Sequence, residues 1–215
     1  MNEKKDAKSL GIDRYHDMDP ATDRAAQLEK IYADWAQTYD DDNDHKLGTV
    51  SQPNTVAMLN RHLTDKNSTI LDVGCGTGLV GMHLINAGFQ NFDGTDLTQE
   101  MLTIAGSRGY RNLVQSNAEE GLPFADDTYD AATCVGVFTH DHVGPEGINE
   151  LMRVTRPGGT IVFTVNEGIW QSAGFERAVE KLTESGAWTL LEKSMQPYMV
   201  NESVQAWYIA ARIPA

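Results

Sequence analysis

LDVGCGTG, residues 71–78, is the stretch on which the fold of this chain depends. It continues an apolar run that begins at Ile70 and predicts a short buried strand. Apolar residues then recur at helical spacing from Leu79 to Ile85, so the predicted order is strand, glycine loop, helix. The glycines leave one side of the loop without Cβ atoms, and the amides at the start of the helix point towards that side. The stretch therefore predicts a binding site for a nucleotide-type cofactor.

Two acidic residues indicate which kind of nucleotide the loop binds. Asp72 stands immediately before the loop, where it would repel a pyrophosphate and attract a cofactor that carries an ammonium group. Asp96 ends the next apolar segment, 18 residues after Gly78, at the position from which a carboxylate accepts hydrogen bonds from ribose hydroxyls. The spacing of Gly76, Gly78 and Gly81 also satisfies the G-x-G-x-x-G pattern of dinucleotide folds, so an NAD-dependent oxidoreductase stays open as an alternative.

The chain resembles the class I S-adenosylmethionine-dependent methyltransferases in several motifs that occur in the family's order. LDVGCGTG looks like the first motif of that family, and Asp96 looks like the acid that ends the second. Residues 117–124 resemble its D-A-E…L-P-F segment, and R-x-x-R-P-G-G at residues 153–159 also matches. Residues 136–140 (GVFTH) and 165–168 (VNEG) are most similar to the small methyltransferases related to the Williams–Beuren-syndrome-region methyltransferase.

The resemblance implies a Rossmann-like, doubly wound α/β fold. Its seven-stranded sheet would be mostly parallel with an antiparallel last strand, helices would cover both faces, and a helical extension would precede it. S-adenosylmethionine would be the cofactor and S-adenosylhomocysteine the product. The implied cofactor-binding residues are Tyr39, Asp72, Gly74, Cys75, Gly76, Thr77, Gly78, Asp96, Leu97, Met101, Asn117, Ala118 and Cys134. Asn117 stands where the family more often has aspartate, and we expect its amide oxygen still to accept from the adenine amino group.

The N-terminal part is predicted to be a tail and helical lid, residues 1–64, before a methyltransferase core at residues 65–215. The two parts would form a single domain. Residues 1–20 are polar and charged, which indicates a mobile tail or a lid that orders on ligand binding. Apolar residues between positions 21 and 39 recur every three or four residues, which predicts an amphipathic helix.

The end of this predicted helix carries aspartates and aromatic residues. The aspartate-rich run at residues 40–44 lacks the ligand spacing of a calcium loop, so we expect it to end the helix as a solvated terminus. Tyr39 belongs to a W-x-x-x-Y-D segment that many small methyltransferases share, in which the aromatic ring lies over the positively charged cofactor. The alternative is that Trp35 and Tyr39 only dock the helix on the core.

The methyl acceptor is expected to bind beyond the carboxyl end of the fourth strand. The predicted substrate-binding residues are Phe138, His140, His142, Asn166 and Trp170. Methyl transfer from a sulfonium is an in-line displacement, so an enzyme can act mainly by positioning the acceptor and excluding water. Where the acceptor must lose a proton, His140 is the candidate catalytic base, and the alternative is a histidine that only orders its loop.

Composition restricts the class of acceptor. The net charge of −14 argues against nucleic acid and anionic membranes as partners and favours a small molecule. The apolar runs are too short to span a membrane, and residues 1–8 contain no apolar signal core, so we expect a cytoplasmic protein. We expect no metal site, and we expect Cys75 and Cys134 to be buried and unpaired.

Several functional questions stay open at the level of sequence. The residues do not indicate which molecule accepts the methyl group, or whether nitrogen, oxygen, sulfur or carbon is methylated. A protein that binds the cofactor without turnover would carry the same glycine motif. The oligomeric state is equally open.

Overall fold

The computed structural model describes residues 18–19, 21–140 and 142–215, so nearly all of the predicted tail lies outside the described residues. The α-helices described are α1 (Arg24–Trp35), α2 (Tyr39–Asp41), α3 (Ser51–His62), α4 (Leu79–Asn86), α5 (Gln99–Ala105), α6 (Gly147–Val154) and α7 (Phe175–Glu184). The strands are β1 (Ile70–Val73), β2 (Phe92–Asp96), β3 (Leu113–Gln115), β4 (Tyr129–Phe138), β5 (Thr155–Asn166), β6 (Thr189–Met199) and β7 (Val204–Arg212). A π-helical segment, Asp42–Leu47, continues α2, and a short 3-10 helix, Glu167–Ile169, follows β5.

The strands form one seven-stranded sheet in the order β3-β2-β1-β4-β5-β7-β6. The first five strands pair in parallel, and β7 runs antiparallel to both β5 and β6. The order reverses direction beside β1, which places the carboxyl ends of β1 and β4 at a topological switch point, where ligands bind in open α/β sheets. The predicted fold class is confirmed.

Helices cover both faces of the sheet, because successive residues of a strand point to opposite sides. Ile70 and Val162 pack in a core cluster with apolar residues of α3 and α4. Their neighbours Leu71 and Ile161 pack in a second cluster with residues of α6 and α7. These strands read as continuous apolar runs since they are buried on both faces.

The prediction that the aspartate run forms a solvated helix end is wrong. Residues 39–47 continue as helix, and Asp42 is 1% exposed. Its carboxylate accepts a hydrogen bond from Trp35 Nε1 at 2.6 Å and lies 2.6 Å from Lys46 Nζ. These donors hold the pKa of Asp42 below its usual value although burial acts in the opposite direction. Trp35 ends α1 and Asp42 begins the π-helical segment, so this hydrogen bond joins two separate helical elements.

Among the described residues, no helix has the length and apolar character needed to cross a membrane. The same part of the chain brings together no group of three side chains that could ligate a metal ion.

Candidate cofactor and acceptor site

A first cavity of about 780 Å³, partly open to solvent, lies over the carboxyl ends of β1, β2 and β4. Predicted cofactor-binding residues that line it are Tyr39, Gly74, Gly76, Asp96, Leu97, Met101, Asn117 and Ala118. Lining residues that the sequence analysis missed include Ala25, Leu28, Tyr32, Ser116, Glu119, Val135, Gly136, Val137 and Val143. The first cavity thus joins the glycine loop to α1, which is distant in sequence.

The glycine loop needs glycine for two different reasons. Gly74 has a φ of +69°, and a Cβ placed there would lie 2.1 Å from Val137 Cγ2. Gly76 has a φ of +54°, but a Cβ there would meet no protein atom within 4 Å, because it would point into open space. Gly74 is therefore required by protein packing, whereas Gly76 leaves space free for a ligand.

Asp96 fixes the loop from the end of β2. Its Oδ2 accepts a hydrogen bond from the Gly76 amide at 2.8 Å, and its Oδ1 accepts one from the Thr98 amide at 2.9 Å. Burial raises the pKa of this carboxyl group, and the amide donors act against that rise. Each carboxylate oxygen can accept a second hydrogen bond. Asp96 lines the first cavity, so those free acceptor positions suit two neighbouring hydroxyl groups.

Asp72 lies below the loop and does not line the first cavity. It is fully buried, and its two oxygens accept hydrogen bonds from the hydroxyls of Tyr110 at 2.6 Å and Thr133 at 2.9 Å. Burial raises the pKa of Asp72 to about 7, while these two hydrogen bonds lower it. Any electrostatic attraction between Asp72 and a cationic ligand therefore acts at a distance, across the glycine loop, and not by direct contact.

The position of Tyr110 explains why residue 81 is glycine, the glycine that had suggested a dinucleotide site. A Cβ on Gly81 would lie 2.5 Å from the Tyr110 ring, and one on Gly94 would lie 2.8 Å from it. The Gly81 amide donates to the Tyr110 hydroxyl at 3.1 Å, and that hydroxyl donates to Asp72. Gly81 thus makes room for a buried tyrosine. The sequence analysis did not identify Tyr110, because no local motif marks it.

Replacing Asp72 by asparagine should stabilise the ligand-free protein at pH 8 more than at pH 5. The folded pKa of about 7 exceeds the ordinary 3.8, so the unfolded chain loses this proton first as pH rises. Stability therefore falls between about pH 4 and pH 7, by at most about 4 kcal/mol for a shift of about three pKa units. Asparagine does not titrate, so the variant lacks this fall in stability with rising pH. Urea unfolding at pH 5 and pH 8 measures the free energy of unfolding of each protein. Equal pH dependence in both proteins would contradict the burial of a titrating Asp72.

Other predicted cofactor residues lie beside or behind the first cavity. Cys75 and Cys134 are buried free thiols, and burial raises the pKa of both well above the usual value. Thr77 is also buried, and Gly78 forms the N-cap of α4. The Asn117 Oδ1 already accepts from the Glu119 amide at 3.0 Å, which leaves it one more acceptor position.

Helix α1 closes the first cavity through contacts with two loops. Arg24 forms an ion pair with Glu119 and donates to the His142 carbonyl oxygen at 3.2 Å. The Tyr32 hydroxyl lies 3.1 Å from His142 Nε2, and His142 Nδ1 lies 2.6 Å from the His140 carbonyl oxygen. Because a carbonyl only accepts, Nδ1 carries the proton and Nε2 accepts from Tyr32. His142 is thus engaged with α1.

A second cavity of about 690 Å³ adjoins the first. Both cavities are lined by Tyr32, Tyr39, Val135 and Gly136. Of the predicted substrate-binding residues, His140 and Asn166 line the second cavity, and His142 lines the first.

The structure does not bring the other two predicted substrate-binding residues, Phe138 and Trp170, to either cavity. Phe138 is 2% exposed and packs against Phe163, and Trp170 is 3% exposed and packs against Trp207. Both side chains are held in the core by other aromatic rings.

Comparison with known proteins agrees with this arrangement. The family model described as "Methyltransferase domain" matches residues 71–163. Human methyltransferase-like protein 27 is 32% identical over 170 residues, which covers 76% of this chain and 69% of that protein. The ubiquinone biosynthesis O-methyltransferase of Hydrogenovibrio crunogenus is 30% identical over 125 residues, 56% of this chain, and the match spans only 50% of that enzyme.

A solved structure shows the same fold at low sequence identity. The Burkholderia thailandensis 1,6-didemethyltoxoflavin-N1-methyltransferase, with bound 1,6-didemethyltoxoflavin and S-adenosylhomocysteine, superposes with a TM-score of 0.66. It is 18% identical, and the superposition covers 92% of this chain and 93% of that one. The family model and the human relative favour a methyltransferase over the oxidoreductase alternative. The chain belongs to the class I S-adenosylmethionine-dependent methyltransferases.

Proposed function

We propose that this chain transfers a methyl group from S-adenosylmethionine to a small-molecule acceptor and releases S-adenosylhomocysteine. The observation that carries the proposal is the shared wall of the two cavities, formed by Tyr39, Val135 and Gly136 among others. In this proposal the two cavities connect beside these shared residues, so that a ligand in the first cavity reaches a ligand in the second. Such a placement suits a direct transfer between two bound molecules, since positioning supplies much of the rate enhancement.

The residues present fit the cofactor. Asp96 offers two acceptor positions to the ribose hydroxyls, and the open space at Gly76 admits the ligand against the backbone. We assign Asn117 and Ala118 to the adenine, and Tyr39 to the region of the positive sulfur. When bound, S-adenosylmethionine supplies an electrophilic methyl group. Within the predicted tail and lid of residues 1–64, we assign the exclusion of water from this group to α1 and α2, which line the first cavity.

His140 is our candidate for the residue that accepts a proton from the acceptor. Its side chain lines the second cavity and makes no hydrogen bond to the described residues. His142, by contrast, forms a hydrogen bond with Tyr32 and orders the loop. Where the acceptor carries no proton to lose, positioning alone suffices, and His140 has no chemical role.

Calorimetric titration with S-adenosylmethionine, S-adenosylhomocysteine and NADH tests the cofactor, and release of S-adenosylhomocysteine in the presence of small acceptors tests turnover. We expect micromolar binding of the first two ligands only. Binding without turnover for any acceptor would favour a module that holds the cofactor. A response to NADH alone would overturn the proposal.

Replacing Asp40 by asparagine should speed the release of S-adenosylhomocysteine about fivefold. Asp40 lies in α2 beside Tyr39, accepts from Thr77 Oγ1 at 2.6 Å in the glycine loop, and forms an ion pair with Arg108. Asparagine removes the charge from the partly exposed Asp40–Arg108 ion pair, which stabilises the closed site by about 1 kcal/mol. Loss of that energy corresponds to a release rate about fivefold higher. Stopped-flow tryptophan fluorescence measures the release.

Asp41→Asn is the matched control for this prediction. Asp41 is the next residue and is exposed, and its carboxylate lies 3.8 Å from His45 Nε2. It should leave the release rate unchanged. Equal rates in both variants would show that the Asp40 contacts do not hold the lid closed.

A further inference from the structure

The Tyr110 ring lies below the glycine loop, where glycines from three segments make room for it. Gly78 ends the loop, Gly81 lies in α4, and Gly94 lies in β2 opposite Asp72. Cβ atoms added at these three glycines would lie 2.9, 2.5 and 2.8 Å from the ring, in that order. Protein atoms essentially never approach so closely, so a side chain at any of these positions would displace Tyr110.

The Tyr110 hydroxyl joins the two ends of the glycine loop. It donates to Asp72 Oδ2 at 2.6 Å before the loop, and it accepts from the Gly81 amide at 3.1 Å after the loop. Burial raises the pKa of Tyr110 well above its usual value, so the hydroxyl keeps the proton that it donates. A phenylalanine would fill the same space as the tyrosine ring but would form neither hydrogen bond.

The start of helix α4 depends on this hydroxyl. The first amides of a helix have no acceptor within the helix, and a side chain at the N-cap usually supplies one. The N-cap of α4 is Gly78, which has no side chain to do so. Tyr110 supplies the acceptor for the Gly81 amide from 29 residues further along the chain. The direction of the amides at the start of α4, which point towards a ligand at the loop, therefore depends on Tyr110.

We propose that Tyr110 is a positioning residue for the cofactor, because its hydroxyl joins the strand before the glycine loop to the helix after it. Asp96 holds the middle of the loop through the Gly76 amide, and Tyr110 holds the two ends. Tyr110 lines neither cavity, so it acts on the cofactor through the loop. The inference rests on the proposed function, since the cofactor must bind at the glycine loop.

Replacing Tyr110 by phenylalanine removes both hydrogen bonds and keeps the ring. We expect the affinity for S-adenosylhomocysteine to fall about fivefold, which corresponds to the loss of about 1 kcal/mol that is typical of a removed helix cap. Burial already raises the pKa of Asp72 to about 7, so this carboxyl group can bind a proton in the variant, and we expect the variant to fold. Calorimetric titration of the full chain measures the affinity, and thermal unfolding verifies the fold.

Tyr129→Phe is the matched control for this substitution. Tyr129 is also buried, and its hydroxyl donates to the Asp93 carboxylate at 3.0 Å. It stands at the amino end of β4, whereas the glycine loop follows the carboxyl end of β1, and it lines neither cavity. This variant should lose unfolding free energy and keep the wild-type affinity. Both variants lose a hydroxyl that is bonded to a carboxylate, so a difference in affinity reports on the loop.

Hydrogen exchange of the Gly81 amide, followed by NMR, tests the contact itself. Tyr110→Phe deprives this amide of its acceptor, so we expect it to exchange at least about fivefold faster than in the wild type. The amide of Leu84 lies in the second turn of α4, where amides bond within the helix, and its exchange rate should stay unchanged. Equal acceleration at Gly81 and Leu84 would mean that the variant loosens the whole helix, which would overturn the inference.

The binding data distinguish failure of this inference from failure of the proposed function. Wild-type affinity for S-adenosylhomocysteine in a folded Tyr110→Phe protein would overturn the inference alone. Equal losses of affinity in Tyr110→Phe and Tyr129→Phe would also overturn it, because a distant hydroxyl would then have the same effect. Failure of S-adenosylhomocysteine to bind the wild type would overturn the proposed function and this inference with it.

Discussion

Replacing Asp96 by alanine should weaken S-adenosylhomocysteine binding by about a hundredfold or more. In the proposed complex the carboxylate accepts hydrogen bonds from two ribose hydroxyls, and hydrogen bonds to a charged group contribute about 1.5 to 3 kcal/mol each. Their loss, about 3 kcal/mol or more, gives the expected factor. Alanine also leaves the amides of Gly76 and Thr98 without their acceptor, so the loop loses its fixed conformation. Calorimetric titration measures the affinity.

Asp96→Asn serves as the graded control for this substitution. Its single amide oxygen can accept from Gly76 or from Thr98 but not from both, so its affinity should lie between those of Asp96→Ala and the wild type. Thermal unfolding checks that each protein is folded at the titration temperature. Wild-type affinity in a folded Asp96→Ala protein would remove Asp96 from the site.

Gly76→Ala should lower the affinity for the cofactor by about tenfold to a hundredfold, while the protein still folds. The added methyl meets no protein atom within 4 Å, so packing does not oppose it. The φ of +54° imposes a strain of about 1 to 2 kcal/mol on the folded protein. The methyl projects into the space that the ligand needs, and such overpacking costs about 1 to 3 kcal/mol. The measurement is again calorimetric, with S-adenosylhomocysteine.

Gly186→Ala separates the two effects in this prediction. Gly186 follows α7, has a φ of +71°, and a Cβ there also meets no atom within 4 Å. It lines neither cavity, so the variant carries the same backbone strain without the ligand clash. We expect similar losses of unfolding free energy in both variants and a loss of affinity in Gly76→Ala only. Equal affinities would mean that the open side of the loop does not face the cofactor.

Asp96 and Gly76 belong to the proposed cofactor site, the part of the site that local sequence patterns predict best. LDVGCGTG identifies the loop because a strand, a glycine turn and a helix start are all short-range patterns. Asp96 follows from the length of one helix and one strand. The structure joins these two parts of the predicted site by the hydrogen bond from the Gly76 amide to Asp96.

The sequence was a poorer guide wherever burial depends on a distant partner. The aspartate run looked solvent-exposed, yet Asp42 is buried because Trp35 and Lys46 satisfy its charge. Phe138 and Trp170 follow the right strands, but their side chains point into the core. Gly81 matches a dinucleotide pattern, but in the structure the Tyr110 ring fills the space beside it.

The sequence by itself determined the fold class, the glycine loop and the acid that faces it, since apolar periodicity and glycine positions act over a few residues. Only the tertiary structure decided that Tyr110 and Thr133 hold Asp72 below the loop. It also decided that Tyr32 engages His142 and that Gln52 faces a second cavity. Such contacts join residues far apart in the chain, and their energies depend on burial and geometry that exist only once the sheet and helices have packed.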